Sequence, residues 1–214
     1  DDMLNRSVPL YDECTRRQAQ LAARFYQPGS RIYDLGCSHG HLGSAVAGQL
    51  DSRDFHMVGV DNSFPMIEKY KTRLKERTQG KRIDLVCAGM EDLIIKEASV
   101  VLMNLTLQFL APERRDAFVS RLYDGMTRGG VLLLAEKTRH SDSEWDEVEQ
   151  DCHRQFKREN GYSDLEISQK RDALEKVLVP DTVETHVDRL RASGFRQVHT
   201  WLKWFNFTAM AAVK

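Results

Sequence analysis

The sequence predicts an α/β fold in which a mostly parallel sheet is covered by helices on both faces. Short apolar runs alternate with longer helix-like stretches along most of the chain, which is typical of β-α-β units. Two turns support this prediction: Gly36–Gly40 follows the first apolar run, and Asp61-Asn62 follows the second. We expect residues 1–214 to form one domain, because a chain of 214 residues can bury a sizeable core.

The first half of the chain is expected to begin with a helix. Tyr11–Phe25 is rich in the helix-forming residues Arg, Gln, Ala and Leu, and Pro28-Gly29 ends it as a turn. Apolar, partly β-branched runs then predict the first three strands at Arg31–Leu35, His56–Val60 and Ile83–Ala88. Helices are predicted between these strands at His41–Leu50 and Pro65–Arg77.

The second half continues the alternation, with strand four at Val100–Asn104, a helix at Pro112–Met126 and strand five at Val131–Ala135. Gly129-Gly130 is expected to break the chain just before strand five.

The alternation of strands and helices is interrupted at Ser141–Lys176, which is highly charged, helical in character and poor in β-branched residues. We therefore expect a helical insertion above the sheet after strand five. A helix at Thr182–Ala192, capped by Ser193-Gly194, resumes the pattern. Two closing strands at Gln197–Trp204 and Phe207–Val213 complete a seven-stranded sheet.

Composition and charge argue against several classes of protein. Apolar residues make up 41% and charged residues 29% of the chain, as in ordinary globular proteins. A net charge of −1 leaves no electrostatic footprint for nucleic acid, and no window approaches a membrane span. The four cysteines form no C-x-x-C pair, which argues against a metal site and favours a reducing, cytoplasmic location. The chain begins at Asp1 rather than Met, so we expect the natural N-terminus to lie upstream.

The turn Gly36–Gly40 is typical of a strand end that approaches a ligand. Glycine permits positive φ and lets a ligand come close to the backbone. The pattern is not G-x-G-x-x-G, because Ser38 occupies the position of the second glycine, and no Gly-Lys-Ser/Thr follows. An ordinary strand-to-helix turn is the alternative interpretation.

Asp61, at the tip of the second strand, is well placed to accept hydrogen bonds from ribose hydroxyls. Taken alone, it is as readily the cap of the helix that begins at Pro65. The glycine turn and Asp61 together favour an adenosine site. The missing second glycine favours S-adenosylmethionine (SAM) over a dinucleotide as the ligand.

Several stretches match one family over nearly the whole chain. The sequence resembles the carboxy-S-adenosyl-L-methionine synthases, a branch of the Rossmann-like class I SAM-dependent methyltransferase fold. The matching segments are Arg6–Tyr11, Tyr33–Ser38, Asp61–Ser63, Asn104–Leu110, Phe156–Ser163, Leu165–Arg171 and Trp204–Phe207. The glycine turn is generic to SAM enzymes, whereas Phe156–Arg171 is specific to this branch.

The resemblance implies an enzyme that converts SAM and prephenate to carboxy-SAM and phenylpyruvate. It further implies a homodimer and a partner enzyme that moves the carboxymethyl group to the wobble uridine of tRNA. Neither direct nucleic-acid binding nor membrane binding is expected. The alternatives are an ordinary SAM-dependent methyltransferase and a non-catalytic SAM-binding module.

The resemblance also implies a set of cofactor-binding residues. Arg171 is expected to receive the extra carboxylate of carboxy-SAM, because a guanidinium fork fits a carboxylate bidentately. Without the resemblance, Arg171 reads as a surface residue of a charged helix. The other expected contacts are Tyr11 over the amino-acid end, Gly36, Cys37 and Ser38 along the methionine portion, Asp61 at the ribose, Asn62 beside the adenine and Asn104 near the reactive end.

The chain departs from the family pattern at the adenine edge. Gly89-Met90 stands where the family usually has an Asp and an apolar residue. The Met90 N–H can still serve adenine, and Glu91 or Asp92 is a candidate replacement for the missing carboxylate. His39 and His41, also unlike the family, are expected to be polar residues at a helix start.

Prephenate is a dianion, so we expect cations around it, with Lys137, Arg139 and Lys157 as candidates. The charged insertion Ser141–Lys176 is the expected lid.

Overall fold

The structure is a computed structural model that describes residues 2–51, 53–75, 82–174 and 178–214, without the side chains of residues 2 and 170–174. Seven strands in this described part form one sheet in the order β3-β2-β1-β4-β5-β7-β6. The strands are β1 (Arg31–Leu35), β2 (His56–Asp61), β3 (Ile83–Cys87), β4 (Ala98–Asn104), β5 (Met126–Lys137), β6 (Gln197–Trp204) and β7 (Phe207–Val213). The first five run parallel, and β7 pairs antiparallel with both neighbours.

Helices flank the sheet on both faces, which confirms the predicted fold class. They are α1 (Asp2–Ser7), α2 (Tyr11–Phe25), α3 (His41–Gln49), α4 (Phe64–Lys75), α5 (Pro112–Gly125), α6 (Ser143–Glu159), α7 (Asp164–Leu174) and α8 (Val183–Ala192). The end of the predicted helix at Arg77 and the end of the predicted insertion at Lys176 lie outside the described residues. No helix in the ranges described is long and apolar enough to cross a membrane.

The core lies in two layers, one on each face of the sheet. On one face α2, α3 and α4 pack against the strands through residues such as Ala22, Val46 and Tyr70, all fully buried. On the other face α5 and α8 do so through Phe118 and Leu190. Strand β4 is buried along its whole length except at Asn104, as a central parallel strand covered on both faces should be.

Strand β5 was predicted wrongly at its start. It begins at Met126 rather than Val131 and runs through Gly129-Gly130, which the sequence analysis took as a break. Met126 pairs with Ala98, and the register between the two strands then shifts before Val131 pairs with Val100. Gly129, with φ of 76°, lies in the extra length of this irregularity, so the glycines allow a bulge instead of ending the strand.

The topology brings one edge of the sheet together as a crevice. The chain moves outward from β1 to β2 and β3, then returns to place β4 on the other side of β1. Such a switch point opens a crevice at the carboxyl ends of the strands. Residues that follow β1, β2, β3, β4 and β5 therefore meet at this edge.

Helix α1, which the sequence analysis did not predict, covers the same edge together with the helical insertion. Arg6 donates from Nε to the Asn160 carbonyl oxygen at 2.8 Å and from Nη2 to the Gly161 carbonyl oxygen at 3.0 Å. Its guanidinium also lies 4.7 Å from the centre of the Tyr162 ring. His153 Nε2 lies 2.9 Å from the Ser7 carbonyl oxygen. These contacts hold α1 against the C-terminal half of α6.

Candidate active site

A cavity of about 1200 Å³ lies at the carboxyl edge of the sheet. Loops after all five parallel strands line it, and α1 and α6 form its roof. Pockets for single small ligands are typically about 300–1,000 Å³. The cavity therefore has room for a nucleoside cofactor and a second small molecule.

The glycine turn forms the floor of the cavity. Gly36 has φ of 74°, and a Cβ at this position would overlap the Thr106 side chain, so only glycine fits. The N–H groups of Gly36 and Cys37 both donate to the Val60 carbonyl oxygen, at 2.8 and 2.9 Å. This pair of bonds ties the turn to the end of β2. The Cys37 thiol is buried, and burial raises its pKa, so it is no nucleophile.

Asp61 joins two parts of the cavity wall. Its Oδ2 accepts a hydrogen bond from the Ser38 N–H at 2.9 Å, and its Oδ1 accepts one from the Ser63 N–H at 2.8 Å. The second bond forms an Asx turn just before α4. The alternative prediction that Asp61 caps this helix therefore accounts for one of its two contacts. A carboxylate has about four acceptor positions, so both oxygens keep capacity for ribose hydroxyls.

The two candidate replacements at the predicted adenine edge, Glu91 and Asp92, have different surroundings. Glu91 Oε1 pairs with Arg114 Nε at 3.0 Å. Asp92, by contrast, holds its Oδ2 2.8 Å from the place where a Cβ at Gly89 would lie. Glu91 lines the cavity, whereas Asp92 does not, so the carboxylate next to Gly89 lies outside the cavity lining.

Asn104 ends β4, and a buried carboxylate fixes the loop that follows it. Glu136 Oε1 accepts hydrogen bonds from the N–H groups of Thr106 at 3.0 Å and Leu107 at 2.8 Å, and its Oε2 accepts one from Gln108 at 3.3 Å. Glu136 is 1% exposed, and burial raises its pKa to about 7 against the effect of these bonds. This loop lines the cavity, so Glu136 holds one wall in place.

Asp34 lies below the glycine turn. It is completely buried but lines the cavity, and its Oδ2 has no hydrogen-bond partner among the residues described. Burial raises its pKa to about 7 against the lowering effect of the Gly43 backbone N–H, and the charge of Asp61 adds a smaller rise. A carboxyl group in this position can receive a cationic or hydrogen-bond-donating part of a ligand.

Tyr11 closes the cavity beside the glycine turn. Its ring lies 5.4 Å from the His41 ring, and burial raises the pKa of its phenol to about 12. His39 and His41 also line the cavity, although the sequence analysis gave them no binding role.

The end of the cavity under the insertion is basic. Four cations line it, together with His153 and one carboxylate, Asp146, whose Oδ1 accepts a hydrogen bond from the His140 N–H at 2.7 Å. The cations are Lys137, Arg139, Arg154 and Lys157. Burial lowers the pKa of His153 to about 3, so this imidazole is neutral. Arg139 is exposed, whereas Lys137 and Lys157 are partly buried.

The structure brings nine of the ten predicted site residues to this cavity. They are Tyr11, Gly36, Cys37, Ser38, Asp61, Asn62, Gly89, Met90 and Asn104. The tenth, Arg171, lies in α7, but its side chain is outside the described part of the chain. Within that part, no group of three or more His, Cys, Asp or Glu side chains could hold a metal ion.

Sequence reasoning assigned no role to Glu136, Asp34, His153 or Asn206, which also line or support the cavity. Asp34 and Glu136 could have been found from the sequence, since each is an acidic residue near the end of an apolar strand. His153 and Asn206 could not, because only the tertiary fold brings α6 and the β6–β7 turn to this edge.

Comparison with known proteins gives close full-length matches. A methyltransferase domain family model matches residues 32–130. The carboxy-S-adenosyl-L-methionine synthase of Desulforapulum autotrophicum is 54% identical over 213 residues, covering 100% of this chain and 86% of the relative. The synthase of the same name from Shewanella oneidensis is 44% identical, covering 100% of this chain and 88% of the relative.

A solved structure shares the fold at low identity. The SAM-dependent methyltransferase SibL superposes with a TM-score of 0.60 at 16% identity, over 92% of this chain and 55% of SibL. This superposition confirms the predicted Rossmann-like fold. The family model and the close relatives confirm the use of SAM. With more than half of its residues identical to a full-length relative, this chain belongs to the carboxy-S-adenosyl-L-methionine synthase family of SAM-dependent transferases.

Proposed function

We propose that this enzyme converts SAM and prephenate to carboxy-SAM and phenylpyruvate, and so supplies the carboxymethyl donor for modification of the tRNA wobble uridine. The observation that carries this proposal is one continuous cavity with acidic groups suited to a nucleoside at one end and a basic wall at the other. An ordinary methyltransferase has no need of a cationic wall next to the cofactor. The names of the close relatives support carboxy-SAM as the product.

The roles of the cofactor residues follow from the family resemblance, and their presence in the lining of one cavity supports them. Asp61 accepts hydrogen bonds from the ribose hydroxyls, and Asn62 lies beside the adenine. The backbone of Gly36–Ser38 borders the methionine portion, with Tyr11 over its amino-acid end. Met90 offers its N–H to adenine, with Gly89 beside it, and Asn104 faces the reactive end.

The enzyme's own groups prepare the chemistry at the basic end. When bound, SAM supplies a sulfonium methyl group that loses a proton and takes up the carbon dioxide released, with hydroxide, as prephenate aromatises. Lys137 and Lys157 hold the carboxylates of prephenate, and Arg171 receives the new carboxylate. The roof formed by α1 and α6 excludes water, which would otherwise compete for the reactive carbon.

The wider assignments follow from the same family. We propose a homodimer and a tRNA-modifying partner enzyme that consumes the product. The near-neutral net charge of −1 is compatible with an enzyme that does not itself bind tRNA. All four cysteines are free thiols, which suits a cytoplasmic enzyme.

Two measurements test this function. The purified protein is denatured and the released small molecule is weighed by mass spectrometry, and phenylpyruvate formation is followed with SAM and prephenate. We expect a species heavier than SAM by one carbon dioxide and turnover of prephenate. Release of SAM alone together with methylation of another acceptor would indicate an ordinary methyltransferase, and binding without any turnover would indicate a non-catalytic module.

Replacing Asp61 with alanine is expected to weaken SAM binding roughly a hundredfold or more. Two hydrogen bonds from ribose hydroxyls to a charged group contribute about 3 kcal/mol together, and the Ser38 N–H also loses its partner. Titration calorimetry measures the change. Asp84→Ala is the matched control, because this exposed carboxylate pairs with His56 on the neighbouring strand and does not line the cavity. If both variants bind SAM with equal affinity, Asp61 does not bind the ribose.

A further inference from the structure

The turn between β6 and β7 has an unusual distribution of polar and apolar residues. Trp204 pairs with Phe207, so Phe205 and Asn206 alone make the turn. Phe205 adopts φ of 40° and is 38% exposed, whereas Asn206 is only 1% exposed. Two-residue turns normally place Gly, Asn or Asp at positive φ. Here a bulky apolar residue takes that position, and the amide is buried.

The Asn206 side chain is unsatisfied inside the protein. Neither its Nδ2 nor its Oδ1 has a hydrogen-bond partner in the described ranges. Only its backbone is engaged, since the Thr138 N–H donates to its carbonyl oxygen at 2.8 Å. Burying an unpaired amide is costly, which favours a ligand that pairs with it.

The polar side chains near Asn206 already have hydrogen-bond partners other than its amide. The hydroxyls of Thr138 and Thr208 lie 3.0 Å apart and bond each other. His153 packs against the Phe207 ring at 4.9 Å and directs Nε2 to Ser7. Asn206 also lines the cavity, on the same side as Lys137. The open hydrogen-bonding capacity of its amide therefore belongs to the basic end of the cavity.

We propose that the Asn206 amide hydrogen-bonds the hydroxyl group of the carboxyl donor and so determines specificity for a hydroxylated carboxylate. This inference rests on the proposed function. A neutral amide offers one donor group and one acceptor, which matches a hydroxyl, whereas carboxylates are better served by the neighbouring lysines. The amide recognises the uncharged hydroxyl group of the substrate, and the cations attract the substrate's negatively charged carboxylates.

Asn206→Leu, a change of similar volume, tests the assignment. We expect kcat/KM for prephenate to fall about ten- to hundredfold, with the SAM dissociation constant unchanged. We also expect a higher melting temperature for the ligand-free protein, because the unpaired amide is gone. A purely structural asparagine predicts the opposite change in melting temperature, so a lower value overturns the inference.

Thr208→Val is the matched control, because Thr208 is buried beside the same turn but does not line the cavity. It loses the hydroxyl bond to Thr138, so we expect a lower melting temperature with kcat/KM for prephenate retained. The two variants should therefore change the melting temperature in opposite directions, and only Asn206→Leu should lower kcat/KM for prephenate.

Competitive inhibition separates recognition of the hydroxyl from recognition of the carboxylate. Cyclohexane carboxylate and its 4-hydroxy derivative are compared against prephenate. We expect the wild-type enzyme to prefer the hydroxylated inhibitor and Asn206→Leu to lose that preference. Suppose that the wild-type enzyme turns over prephenate. If Asn206→Leu then keeps the same turnover or the same inhibitor preference, this inference is wrong and the proposed function stands. A wild type that does not turn over prephenate overturns the proposed function and this inference with it.

Discussion

Replacing Arg171 with alanine is expected to weaken binding of carboxy-SAM roughly thirty- to several-thousand-fold while leaving SAM binding nearly unchanged. Losing one partner of a hydrogen-bonded charge pair costs about 2–5 kcal/mol, and only carboxy-SAM carries the extra carboxylate. Calorimetric titration with the two compounds side by side gives the ratio. Formation of carboxy-SAM from prephenate should fall with it.

Two variants sharpen the interpretation of Arg171. Arg171→Lys keeps the charge but not the bidentate fork, so its affinity should lie between those of the wild type and the alanine variant. Arg158→Ala is the control, because Arg158 is a half-exposed arginine of the same insertion that pairs with Asp164 at its surface. Equal losses for SAM and carboxy-SAM in Arg171→Ala would show that the residue does not read the carboxylate.

Replacing Arg115 with methionine is expected to lower the free energy of unfolding by about 3–5 kcal/mol. Arg115 is fully buried and donates to the carbonyl oxygens of Leu110 and Gln108, at 2.9 and 3.0 Å, and to Asp181 Oδ2 at 2.7 Å. Methionine fills much of the volume but leaves all three oxygens without this partner. The melting temperature should fall by about 6–20 °C.

The neighbouring Arg114 provides a matched control for this stability effect. Its side chain is 60% exposed and pairs with Glu91. Arg114→Met should change the free energy of unfolding by less than about 1 kcal/mol, because exposed ion pairs contribute little. Thermal unfolding of the ligand-free protein compares the two. Similar losses for both variants would mean that the buried network around Arg115 does not hold the protein together.

The strands and the nucleoside end of the cavity were predictable from local sequence. Parallel strands covered on both faces appear as short apolar runs, and the residues that follow them must meet at one edge. Gly36 and Asp61 could be located in this way. Gly129 was misread, because a glycine pair indicates a bulge as readily as a break, and only the pairing of Met126 with Ala98 decides between them.

The remainder of the site depends on contacts between distant segments. Glu136 acts on a loop about thirty residues earlier in the chain, where it bonds Leu107. Asn206 belongs to a hairpin turn whose sequence favours an exposed amide, yet the fold buries it. Which of the adjacent acids Glu91 and Asp92 lines the cavity also depends on side-chain positions, and only Glu91 does so.

The hydrogen bond from Arg6 to the Gly161 carbonyl oxygen joins residues that are 155 positions apart in the chain. Contacts of such long sequence separation form late, because most of the chain must be synthesised and ordered before they exist. Strands β1–β5 all precede Gly161, so the parallel part of the sheet and the crevice at its edge can assemble on the ribosome before the roof is in place. The newborn enzyme therefore passes through a stage in which a shaped but open crevice already exists, and it gains its closed, water-excluding chamber only as the last third of the chain emerges.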